Sequence, residues 1–140
     1  MIQHPYEVTG GFDDLASKVG HAKVESSPGL VPIAEALGVL CMKIVQENGE
    51  TYWNENRAAI QAQIDAIRAT TTDPGGFIVP QGTEAATRWH LVRTWARFMQ
   101  RIDLGDNSFL RTALTQISIA AYWCALKSNA DAGVSEILVP

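Results

Sequence analysis

Apolar residues in this chain recur at every third or fourth position and almost nowhere alternate. A half-buried strand shows its hydrophobic residues with a period of two and an amphipathic helix with a period near 3.6, and only the second pattern runs here. The expected fold is therefore all-α: a single-domain helical bundle of four main helices plus a short N-terminal helix. At 140 residues one core suffices, because a domain of this size buries roughly 70% of the surface its unfolded chain exposes. Residues 1–140 read as one domain, with a long loop at 70–83 and a C-terminal tail at 129–140.

After a short extended lead-in, "GGFDDLASKVGHAKV" is a brief helix with Asp13 and Asp14 in its first turn, and Gly20 limits its length. Pro32 suits the first position of the second helix, which runs to about Gln46 with "NGE" as its stop and Ile33, Leu37, Leu40 and Ile44 as its stripe. The third helix spans about Tyr52 to Ala69. Its narrow seam is Trp53, Ile60, Ile64 and Ile67. Its other side carries Ala58, Ala59, Ala62, Ala66 and Ala69, small enough for a neighbour in the same chain or a second subunit to approach closely. The loop "TTTDPGGFIVPQGT" exceeds the usual connection of about 4 to 6 residues and is a candidate lid or contact surface.

Thr83 is the expected N-cap of the fourth helix, which continues to about Ile102. Leu91, Val92, Trp95, Phe98, Met99 and Ile102 form its expected core arc, with Trp89 and Ala96 at the edge. His90, Arg93, Arg97 and Arg101 then occupy the opposite arc and face solvent. The fifth helix, from about Phe109 to Lys127, carries Arg111 as its only charge as far as Leu126 and should be the most enclosed. The apolar end of the tail "NADAGVSEILVP" is expected to dock on the core or on a partner.

A formal net charge of −4 gives the chain no general pull toward nucleic acid or anionic lipid, so any such attraction has to be local. The local feature is "TRWHLVRTWARFMQR", with four arginines, a histidine and two tryptophans in 15 residues. Arg93, Arg97 and Arg101 follow one another at four-residue steps and stack along one helical face, where like charges repel unless something negative meets them. Glu47, Glu55 or Asp65 from other helices would serve, as would an acidic protein surface or a phosphate ligand. Three neutralised phosphates give a salt slope of only about −3, which makes a nucleic acid an unlikely partner.

No signature of catalysis accompanies these residues. The histidines His4, His21 and His90 are scattered, no metal-ligand spacing or Gly-rich phosphate loop occurs, and no metal or cofactor is expected. Cys41 and Cys124 each lie in an apolar helical run and read as buried free thiols. With no secretory signal and no run of about 18 to 20 apolar residues, a cytoplasmic protein without a membrane span is expected. The reading that results is a non-enzymatic protein-binding module, a subunit, adaptor or inhibitor, which engages an acidic partner through Arg93, Arg97 and Arg101 with Trp89 and His90 at the edge. Self-association is a separate expectation, and two alternatives stand beside the main reading: an anion- or nucleotide-binding protein or enzyme built on His90 and the arginines, and a weak binder of nucleic-acid backbone.

Overall fold

The computed structural model describes residues 6–140, so the expected lead-in and His4 lie outside the described residues. The elements are α1 (Tyr6–Glu25), a 3₁₀ turn (Pro28–Leu30), α2 (Val31–Val45), α3 (Gly49–Ala69), α4 (Glu84–Met99) and α5 (Ser108–Asp131). The all-α bundle expected from the periodicity is what forms. It has five long helices, however, because α1 is 20 residues and not a short appendage. Val8, Phe12, Leu15, Val19 and Ala22 make a continuous buried stripe on α1. Burying one Phe or Leu is worth about 1.5–3 kcal/mol, against about 1 kcal/mol for each helical glycine, so the stripe outweighs Gly10, Gly11 and Gly20.

The stripe of α2 and the seam of α3 are buried as expected. The turn between them differs. "NGE" does not stop α2 through its glycine: the left-handed residue is Glu47, at φ 64°, and Asn48 N–H closes the turn on the Lys43 carbonyl at 2.7 Å. Gly49 is already the first residue of α3, buried where a Cβ would run into Ile44. The alanine face of α3 is exposed.

The principal contacts close a ring: α1 packs on α2 and α4, α2 on α3, α3 on α5, and α5 on α4. The segment Pro28–Val45 has a mean hydropathy of 1.6 and is, by length and composition alone, apolar enough to cross a membrane, contrary to the sequence reading. Its hydropathy has a simpler cause: Leu30, Ile33, Leu37, Leu40 and Ile44 fill the bundle interior, while Glu35 lies on its exposed side. Cys41 and Cys124 are free and fully buried, and burial pushes the Cys41 thiol up to about 12 and the Cys124 thiol upward as well.

The long loop and the tail hold each other. Val79 N–H donates to the Ile137 carbonyl and Val139 N–H to the Phe77 carbonyl, each at 2.8 Å, around an antiparallel bridge between Ile78 and Leu138. Beneath them Asn129 of α5 is fully buried. Its Oδ1 accepts from Thr83 N–H at 2.9 Å, and its Nδ2 donates to the Gln81 carbonyl at 3.0 Å and to the Glu136 carboxylate. One side chain thereby joins the end of the loop, the start of α4 and the tail. Thr83 caps α4 as expected, its Oγ1 accepting from Ala86 N–H.

Candidate functional site

The phase of α4 differs from the sequence reading. Leu91 and Phe98, expected in the core, are 54% and 46% exposed, whereas Trp89, Val92 and Ala96 are fully buried and His90 nearly so. Turning by about 100° per residue, Arg93 falls about 40° from Trp89 and Arg97 about 80° from it, between Trp89 and His90. Arg93 and Arg97 thus lie toward the side that faces α5, Arg93 half-buried and Arg97 still exposed. The expectation failed because α4 packs against α1 and α5 at once and buries Trp89 with its flanking alanines, leaving the larger apolar side chains Leu91 and Phe98 outside.

Each residue of the expected binding face therefore has a different place. Trp89 is a core residue whose indole N–H donates to Ser26 Oγ at 2.9 Å, so it offers nothing to a partner. His90 is 3% exposed. Its Nδ1 accepts from Arg93 Nε at 3.2 Å, while its Nε2 is buried with no hydrogen-bond partner among the described residues. Burial, helped by the neighbouring Arg93 charge, pushes the imidazole down to about 4, so the ring is neutral near pH 7. Arg93 is half-buried, and burial together with the charge of Arg97 lowers its pKa, opposed by Tyr122. Arg97 is exposed. Arg101 lies past the end of α4 and does not continue the row.

Arg88, the remaining arginine of the stretch, is structural. It donates to the His21 carbonyl at 2.7 Å and sits between Glu84 and Glu25, tying α4 to α1. No such partner meets the others: among the described residues none of Arg93, Arg97 and Arg101 forms an ion pair, so Glu47, Glu55 and Asp65 do not neutralise the row.

Arg93 and Arg97 instead line a cleft of about 520 Å³ between α4, α5 and the long loop. The loop contributes Gly76, Phe77 and Ile78, and α5 contributes Ser118, Ile119, Tyr122 and Trp123. Phe77 is 87% exposed at the rim. Tyr122 and Trp123 meet edge to face with centroids 5.6 Å apart, and the Arg68 guanidinium lies 5.1 Å from the Trp123 ring. Burial raises the Tyr122 pKa, as do the Asp73 and Glu136 carboxylates, against Arg93. The cleft is thus cationic at the α4 side, acidic beyond Tyr122 and aromatic along one wall. It suits an extended ligand with a negatively charged end and a flat apolar part. Sequence reasoning found the two arginines but not Phe77, Tyr122 or Trp123. The length of the loop and the adjacent aromatics Tyr122 and Trp123 in α5 were the available signals.

Residues 3–103 match the family model described as cobalamin adenosyltransferase. The chain belongs to the cobalamin adenosyltransferase family. The match spans α1 to α4 and the whole arginine stretch. Comparison with curated proteins gave no match. Three similar solved structures are variants of a PduO-type ATP:corrinoid adenosyltransferase from Lactobacillus reuteri. Two are complexed with cobalamin and ATP: one is 18% identical with a TM-score of 0.79, covering 94% of this chain and 81% of the other, and one is 19% identical with a TM-score of 0.74, covering 94% and 83%. The third is complexed with ATP, at 18% identity and a TM-score of 0.79, covering 95% and 85%. At these identities the likeness is one of fold.

Membership of this family overturns the reading of the chain as a non-enzymatic adaptor or inhibitor for an acidic protein. The physical cause of the difference is the phase of α4: of the cations taken to face a protein surface, Arg93 and Arg97 instead line a cleft.

Proposed function

We propose that this chain is an ATP:corrinoid adenosyltransferase, with ATP and a corrinoid as substrates, and that Arg93 and Arg97 hold the polyphosphate of ATP in the cleft between α4, α5 and the loop. The observation that carries this reading is the pair of guanidinium groups that line a cleft with, among the described residues, no carboxylate paired to either. Moving an adenosyl group from ATP to a reduced corrinoid forms a bond from the electron-rich cobalt to the ribose 5′ carbon and breaks the bond between that carbon and the triphosphate oxygen. The triphosphate departs with the bonding electrons, and its growing charge needs cations already in place. Two arginines at a four-residue step supply them, and guanidinium groups match phosphate oxygens in pairs. Tyr122 and Trp123 offer flat surface to the base or to the corrinoid ring. With both thiols free and buried, we place the enzyme in the cytoplasm.

The test is calorimetric binding of ATP and of inorganic triphosphate, with adenosylation of a reduced corrinoid followed by absorbance. Each charge-assisted bond is worth about 1.5–3 kcal/mol, so Arg97→Ala should weaken ATP binding by about 10- to 150-fold, and Arg93→Ala by at least as much. Binding of triphosphate should fall in parallel, and that of adenosine should change little. A wild-type chain that binds neither ATP nor triphosphate, or an Arg93→Ala/Arg97→Ala chain that binds both as tightly as wild type, would sink the proposal.

A further inference from the structure

His90 is a buried titratable side chain in contact with the cleft residue Arg93, and it does not itself line the cleft. A neutral imidazole carries one N–H. Because Arg93 Nε can only donate, the 3.2 Å contact requires His90 Nδ1 to be the acceptor, which puts the ring proton on Nε2. That Nε2–H is enclosed with no acceptor among the described residues, an arrangement that costs the fold free energy and that a leucine of similar size would avoid. If the residue served packing alone, the nitrogen would be a liability. What it supplies in return is one directed bond to Arg93.

The bond matters because of what it leaves free. With Nε occupied, the four N–H groups on Nη1 and Nη2 of Arg93 have no partner among the described residues, and the planar guanidinium is fixed by its inner edge. We infer that His90 is a positioning residue: by accepting from Arg93 Nε it holds the guanidinium with both terminal nitrogens free for a phosphate of the nucleotide. The inference rests on the reading of Arg93 as a nucleotide contact. A charged imidazole could not play the part, since both of its nitrogens would carry protons beside an arginine. Burial and the Arg93 charge keep it neutral.

Two measurements test this. In the ligand-free protein, nitrogen NMR should find His90 as the Nε2–H tautomer, with the Arg93 Nε–H slow to exchange. The opposite tautomer overturns the inference whatever ATP does. For binding, His90→Leu should melt at or above the wild-type temperature yet bind ATP about tenfold more weakly. His90→Asn, whose Oδ1 can stand where Nδ1 stood, should recover binding to within about threefold of wild type. A purely structural histidine would show the reverse, a lowered melt with unchanged affinity per folded molecule. ATP binding that depends on Arg93 but is untouched by His90→Leu overturns this inference alone, whereas ATP binding untouched by Arg93→Ala removes the nucleotide reading beneath it. Should His90→Leu fail to fold, the wild-type tautomer and His90→Asn still decide.

Discussion

At the scale of single residues, the chain places one buried imidazole against the Arg93 guanidinium, and its consequence is a pH dependence of stability. In the unfolded chain His90 titrates near pH 6.5, whereas in the fold burial and Arg93 bring it down to about 4. Between those values the unfolded chain holds more protons, so stability rises with pH and is lost as pH falls from about 6.5 toward 4. The loss attributable to this group approaches about 3 kcal/mol at the lower end, each pKa unit being about 1.4 kcal/mol. Carboxylates titrate in the same window. The prediction is therefore a difference: urea unfolding of wild type and of His90→Leu at pH 7 and pH 4.5 should show the variant losing about 2–3 kcal/mol less. Identical slopes would mean that His90 titrates normally. Part of this was legible in the sequence. Spacing brought His90, Arg93 and Arg97 together on one side of a helix, but spacing does not say which side is inside, and Leu91 and Phe98 outvoted Trp89 and two alanines. A half-buried arginine and a buried histidine on the side of α4 that packs inward contradict hydrophobic patterning, and such conflicts are where functional sites are to be sought.

At the scale of elements, α2, α3 and α5 were readable because their buried stripes are aliphatic and unambiguous, as Ile33–Leu37–Leu40–Ile44 shows. α1 was underestimated because its three glycines argue locally against a helix that tertiary burial of Phe12 and Leu15 enforces. The clasp under the loop was not readable at all, since its parts are 48 residues apart in sequence. It yields a testable coupling. Gly82 has φ +120°, a conformation costly for any Cβ, and a Cβ there would also overlap the Asn129 amide. Asn129→Ala strips partners from Thr83 N–H and the Gln81 carbonyl, at about 1–3 kcal/mol for each group left unsatisfied. We expect Gly82→Ala and Asn129→Ala each to cost about 3 kcal/mol in urea unfolding. The pair together should cost at least about 1 kcal/mol less than their sum, because removing the amide relieves the overlap but not the backbone strain. Strict additivity would show that the two residues do not share this contact.

At the scale of the whole molecule, the helical ring and the cleft have different supports. The ring is closed by aliphatic stripes in the interior. The cleft owes one wall to a loop whose middle pairs through its backbone with the tail, by Val79–Ile137 and Phe77–Val139, and whose end is held by Asn129. The tail adds little to the core, for Ile137, Leu138 and Val139 are each more than half exposed. Its contribution is to order the loop, and ordering a loop before a ligand arrives raises affinity by removing an entropy cost from binding. Deleting residues 134–140 should therefore separate the two functions. The helical circular dichroism should persist and the melting temperature should fall by only about 3–5 °C, as expected for a loss near 1 kcal/mol in a domain of this size. Residues 70–83 should become the first site of limited proteolysis, and ATP affinity should drop about tenfold even though Arg93 and Arg97 are untouched. If the shortened chain binds ATP as the full chain does, the loop is not held for the ligand by the tail. A collapse of the helical signal would instead make the tail part of the core, against the exposure of its side chains.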